Sequence, residues 1–146
     1  MSKRLLSGRY EFRVEFFHVD SMFVVWHGKY VEYMEAARCR FLEAVDFSYS
    51  RMRSNGFAMP IVKLDLRYLK PLVFEQRFWV EVGLMGYESL LELEYVFKDE
   101  VGAKLALGHS AQAAVLLEDG RTCYGLPNSL KEGIEAVLAN PSSYGF

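Results

Sequence analysis

Apolar and polar residues alternate with period two over Arg9–Phe16, where Tyr10, Phe12, Val14 and Phe16 interleave with Arg9, Glu11, Arg13 and Glu15. That pattern predicts a strand with one buried and one wet face. Near Gly28 the period changes to 3.6. Tyr30, Met34, Ala37, Phe41 and Val45 fall on one face, and Lys29, Glu32, Arg40 and Glu43 on the other, which predicts a long helix from 28 to about 45. Asp46–Asn55 is polar and runs into Gly56, as a short second helix or an irregular loop does. Period two then returns in four runs. Val62, Leu64, Leu66 and Tyr68 form the first, limited by Pro71, which has no amide hydrogen to give a ladder. Phe78–Leu84 and Leu91–Phe97 follow, and then Lys104–Leu117, rich in alanine and closed by the turn signal Asp119-Gly120. Small residues on that last strand let the long helix pack close to it. Beyond Pro127, Ser129-Leu130-Lys131-Glu132 has capping-box spacing, and Leu130, Ile134, Val137 and Leu138 supply the apolar face of a short terminal helix.

The order is strand, long helix, four strands with hairpin-length links, short helix. Strands joined by short links pair antiparallel. The prediction is therefore an α+β fold, one five-stranded antiparallel sheet burying its apolar face on one long helix, in a single domain over 1–146. No repeat, linker or low-complexity segment interrupts it.

Composition narrows the function classes. The chain has 146 residues, 51% of them hydrophobic and 15% aromatic, which suits a compact core and not a disordered segment. Net charge is −2, with Lys and Arg spread along the chain, so no basic stripe for nucleic acid stands out. The apolar runs are too short to cross a bilayer as a helix, and the first ten residues do not read as a signal peptide. Cys39 and Cys123 are far apart, which fits free thiols in a reducing, cytoplasmic compartment. Arg38 and Arg40 flank Cys39 and would lower its thiol pKa. The plainer expectation is a helix-surface or interface cysteine.

The segment His18–Arg38 carries the candidate chemistry. Asp20 lies in the loop after the first strand, and Trp26-His27 stands just before the helix. A carboxylate can attack a carbonyl itself or take a proton from water. A helix start offers unpaired N–H groups and partial positive charge. Aimed at a carbonyl oxygen, such donors form an oxyanion hole worth about 3 kcal/mol each. The two together suggest acyl transfer. Asp20 also fits a loop carboxylate bonded to backbone, and His27 a helix-start ring packed on Trp26. His18 and His109 read as structural, core or interface residues, and the three histidines have no zinc-site spacing. Glu35 and Arg38 can pair along the helix.

The element order and the 20–38 segment resemble the hotdog fold. More narrowly they resemble the 4-hydroxybenzoyl-CoA thioesterase family with its YbgC-like acyl-CoA thioesterases. That family's pattern runs approximately D-x-x-G-x-V-Y/F-H-x-N-Y, then an E-x-A-R helix. Asp20, Val25, Trp26, His27 and Tyr30 match its spacing, and Glu35-Ala36-Ala37-Arg38 matches the helix. Arg67–Pro71 and Asp119–Arg121 with Leu126-Pro127 are also family-like. Three positions depart: Phe23 replaces the family glycine, Val19 the Thr or Cys before the acid, and Lys29 the Asn.

The resemblance implies an acyl-CoA thioesterase. Asp20 acts as nucleophile or general base, and the N–H groups at His27-Gly28 hold the oxyanion. Phe23, Trp26 and Tyr30 are expected to touch the substrate. Lys63, Arg67 and Lys70 are candidates for the coenzyme A phosphates. No metal or cofactor is expected; coenzyme A enters only as part of the substrate. The assembly expected is a homodimer or homotetramer with each site built from two chains. The rivals are a thioesterase acting on acyl-carrier protein and a non-catalytic module that binds an acyl ligand, which Phe23 favours.

Overall fold

A computed structural model describes residues 3–146. Its elements are β1 (Leu6–Arg13), α1 (Lys29–Ala44), α2 (Tyr49–Ser54), β2 (Phe57–Ala58), β3 (Ile61–Tyr68), β4 (Arg77–Gly86), β5 (Leu91–Lys98), β6 (Lys104–Gln112), β7 (Val115–Leu116) and α3 (Asn128–Ala139). The main sheet has five strands in the order β1-β4-β5-β6-β3, every neighbour antiparallel. The expected hotdog arrangement of sheet and helix is what forms. β2 and β7 make a small separate pair.

All five residues assigned to the inner face of the long helix are buried, and the helix ends within one residue of the expected limits. Tyr33, Arg38 and Leu42 join them. That face packs into one core cluster with Phe78, Val80, Leu93, Tyr95 and Phe97 of β4 and β5. The small residues of β6 lie under α1 as expected: a Cβ added at Gly108 would lie 2.8 Å from the Met34 Cε, so the tip of Met34 fills the space a side chain there would take.

Several local expectations are corrected. β1 starts three residues earlier than expected and ends at Arg13; Phe16 falls in a 3-10 turn (Phe16–His18) and is 63% exposed. The Glu15 amide donates to His18 Nδ1 at 3.0 Å and closes that turn, so the alternating pattern outlasts the strand. Asp46–Asn55 resolves as α2, capped by the Ser48 side chain accepting from the Arg51 amide. The alanine-rich run splits into β6 and β7 at Ala113-Ala114. The Ser129–Glu132 capping box does not form: α3 starts at Asn128 with Pro127 as its cap, so Ser129 is already inside the helix. The largest difference concerns pairing. β3 and β4 are consecutive but not neighbours; β3 pairs with β6 at the far edge. Residues 69–76 cross the end of the sheet and are tied there by Val25, whose amide donates to the Leu72 carbonyl at 2.9 Å.

Candidate active site

Asp20 opens a tight turn. The Phe23 amide donates to the Asp20 carbonyl at 3.0 Å, the Asp20 amide donates to the Val24 carbonyl at 2.9 Å, and Val19 bridges to Val25 below. Such a turn ends on a residue in the left-handed region, where glycine is preferred. Here that residue is Phe23, at φ +61°. The Asp20 Oδ1 accepts from the Met22 amide at 2.8 Å, which fixes the carboxyl plane. The side chain is exposed in an open cleft of about 660 Å³ that it shares with Phe16, Phe17, Val19, Ser21 and Phe23.

α1 begins nine residues after the acid. Gly28 is its cap; the Lys29 amide donates to the Trp26 carbonyl and the Val31 amide to the Gly28 carbonyl. Among the described residues, no acceptor pairs with the His27 or Gly28 amide. Two free N–H groups therefore stand at the positive end of a 16-residue helix. The Trp26 ring packs over Gly28: a Cβ there would meet the Trp26 Cζ3 at 2.2 Å, so a side chain at this position would have to displace the indole. Trp26 and His27 meet edge to face, with ring centroids 5.5 Å apart, as the packing expectation for this pair had it. The Tyr68 hydroxyl donates to the His27 carbonyl at 2.8 Å. His27, Val25, Tyr30, Tyr68, Lys70 and Pro71 line a second cleft of about 300 Å³.

Within the chain Asp20 and His27 thus line separate clefts, joined by the strip Val24–Trp26. Phe23 lies with Asp20; Tyr30 and Lys70 lie with His27. Trp26 is 46% exposed and packs on Gly28. Lys63 and Arg67 are exposed but alternate with Leu66, which faces α1, so they occupy the opposite face of β3 beside Asp65. The three basic candidates are not brought to one cleft.

Other polar residues are engaged in local hydrogen bonds and ion pairs. His18 Nδ1 accepts from the Glu15 amide and lies 2.8 Å from the Tyr33 hydroxyl; burial, with the Lys29 charge, lowers its pKa. His109 Nδ1 stands 3.9 Å from the Asp65 carboxylate on the outer face. Arg38 is buried and donates to the hydroxyls of Tyr49 at 2.6 Å and Tyr95 at 3.3 Å; its pairing with Glu35 is looser, at 3.9 Å. Tyr95 shares a hydrogen bond with Ser110, and Gln112 donates to Tyr49 and to the Met59 carbonyl. Cys39 departs from expectation: burial pushes its thiol up, against the pull of Arg38. Sequence reasoning missed Tyr68, whose alternation marked it only as an inward strand residue.

Comparison with known proteins decides the family. A model of the thioesterase-like superfamily matches residues 14–134, which include both clefts. The chain belongs to that superfamily. As a thioesterase-superfamily member it is a thioester hydrolase of the hotdog fold. It is 32% identical over 102 residues to a putative esterase of Aquifex aeolicus, covering 66% of this chain and 77% of that protein. It is 31% identical over 79 residues to the putative acyl-CoA thioesterase YneP of Bacillus subtilis, covering 54% and 57%. Among solved structures, the DHNA-CoA thioesterase of Staphylococcus aureus superposes with TM-score 0.80 at 21% identity over 96% of both chains. A hypothetical protein of Aquifex aeolicus superposes with TM-score 0.79 at 26% identity, over 87% of this chain and 98% of that one.

Proposed function

We propose that this protein hydrolyses an acyl-CoA thioester to a carboxylic acid and free coenzyme A. The observation that carries the reading is the pair of unpaired amides at His27 and Gly28, seven and eight residues beyond a carboxylate held in a tight turn. The thioester carbonyl lies against those amides. As the tetrahedral intermediate forms, negative charge gathers on that oxygen, where the two donors and the helix end meet it. In the general-base route, Asp20 takes a proton from water as the water oxygen bonds to the carbonyl carbon. Collapse breaks the C–S bond, and the proton passes to the departing thiolate. In the nucleophile route, Asp20 bonds to the carbon first, the thiolate leaves, and water cleaves the resulting anhydride. Neither route calls for a metal or redox cofactor.

The separation of the two clefts in one protomer favours a site completed by a second copy. β3 is an unpaired edge whose apolar residues stay exposed, Ile61 by 38%, Val62 by 56% and Leu64 by 38%. Pairing two such edges in a homodimer, or in a homotetramer built from two such dimers, sets the Tyr68 end of one β3 beside the Ile61 end of the other. Lys70 lines the His27 cleft, which supports it over Lys63 and Arg67 as the basic group that meets a coenzyme A phosphate. The two free cysteines fit a cytoplasmic setting, and no helix among the described residues is long and apolar enough to cross a membrane.

The test is a panel of acyl-CoAs, with acyl-carrier-protein thioesters in parallel, read by release of free thiol. Asp20→Asn is expected to keep the fold by circular dichroism and to lower kcat about a hundredfold or more. A folded variant with near-normal kcat refutes the role of Asp20. Activity confined to carrier-protein thioesters moves the substrate to that class. Binding without turnover across the panel makes the protein an acyl-ligand module.

A further inference from the structure

We infer that Tyr68 is a positioning residue for the oxyanion site: its hydroxyl, bonded to the His27 carbonyl, aims the Gly28 N–H at the substrate. The inference rests on the thioesterase reading above and adds a residue to it. The His27 carbonyl and the Gly28 amide belong to one peptide unit. That unit is planar and trans, so the C=O and N–H point in opposite directions. Whatever holds the carbonyl also holds the amide. The hold is the 2.8 Å bond from Tyr68, which sits on β3, 41 residues further along the chain.

Three features make this bond more than an incidental contact. First, the His27 carbonyl lies just ahead of α1, where the chain makes no regular ladder; among the described residues Tyr68 is its one hydrogen-bond partner. Second, the Tyr68 ring, half exposed at the sheet edge, rests perpendicular against Tyr30 with centroids 4.9 Å apart, and Tyr30 is buried in the core. Third, the bond polarises the peptide: a donor on the carbonyl oxygen shifts electron density away from nitrogen and makes the N–H a stronger donor. Desolvation raises the Tyr68 pKa above its ordinary 10, so the group keeps its proton and stays a donor at neutral pH. Position and donor strength of the Gly28 amide are thus both set from the edge strand.

Tyr68→Phe removes the hydroxyl and leaves the ring. In steady-state kinetics with the best acyl-CoA of the panel, we expect kcat to fall about tenfold, the worth of one hydrogen bond expressed in the transition state, with KM nearly unchanged. The second reading is the backbone nitrogen resonance of Gly28 in a 15N-labelled sample, which should move as its carbonyl partner loses a donor. A wild-type kcat, or a fall in affinity alone, overturns the inference, as does an unmoved Gly28 resonance. If the wild-type protein proves inert on every thioester, the hydrolase reading fails by itself. The resonance then decides for or against the Tyr68 hold.

Discussion

Phe23 holds a backbone conformation that an aromatic residue rarely adopts, and it holds it beside the candidate catalytic acid. A left-handed φ costs a non-glycine residue about 1–2 kcal/mol. The ring recovers little by packing: it is 58% exposed, with Phe74 at a centroid distance of 6.3 Å. Strain kept at an exposed position points to use, here as an apolar wall of the Asp20 cleft. Phe23→Gly should therefore raise the unfolding midpoint while raising KM for bulky apolar acyl groups. A variant that is less stable, or unchanged in every KM, refutes that account. His18 gives a second residue-scale prediction. Its folded pKa is lowered from the ordinary 6.5, so the folded state binds fewer protons than the unfolded one just below that pH. The associated stability is complete above about 6.5 and is lost as pH falls towards the depressed folded value. Urea midpoints should drop more steeply below pH 6.5 in the wild type than in His18→Gln; equal slopes contradict it. The turn at Asp20 and the helix start beside His27 were legible in the sequence because their signals are local, while Phe23 stood out only through the family resemblance. Tyr68 was not legible, because its role depends on a strand brought from far along the chain.

The start of α1 is the element on which the site depends, and a close approach there adds to the hold that Tyr68 exerts. Trp26 folds back over Gly28 and occupies the space of the missing side chain. Gly28→Ala must displace the indole, at a cost of about 1–3 kcal/mol. With Trp26→Ala in the background the obstacle is gone, and the same substitution should cost less than about 1 kcal/mol. Additive costs in this double-mutant cycle would show that the ring is not what forbids the side chain. At this scale the periodicity marked every strand of the main sheet and the long helix, because each buries one face and repeats accordingly. It was silent on strand order. β3 and β6 carry the same alternating signal in any partner's company, and the choice between them was made by the crossing segment 69–76, tied to Val25 through a backbone hydrogen bond. Strand limits were also blurred where a turn begins within an alternating run, as at Phe16. Ser129 shows the converse: the spacing was right for a cap, but Pro127 started the helix first.

At the scale of the whole molecule, the main sheet has two free edges, β1 and β3, and β3 is the one that leaves large apolar side chains exposed. Its sequence, Ile-Val-Lys-Leu-Asp-Leu-Arg-Tyr, limits how two copies can join. A twofold axis through a continuous antiparallel sheet sets residues of the same face opposite each other. Centring on Lys63 or on Asp65 places like charges against themselves, and the latter also opposes Lys63 and Arg67. Centring on Leu64 opposes Lys63 to Asp65 twice. Centring on Leu66 opposes Asp65 to Arg67 twice. Asp65 is thus attractive in both surviving registers, and Asp65→Lys should split the dimer. Sedimentation at micromolar concentration is expected to show dimer or larger for the wild type and monomer for the variant. Thiol release should fall with the dimer, because Asp20 and His27 line separate clefts within one chain. The exchange Lys63→Asp with Asp65→Lys then separates the registers. It restores association if the axis passes through Leu64. If the axis passes through Leu66, the introduced lysine faces Arg67 and association stays lost. The loss of the intrachain Asp65–His109 contact is common to both variants, so it cannot produce a difference between them. A wild-type protein that is monomeric and fully active at micromolar concentration overturns the assembly and the shared site together.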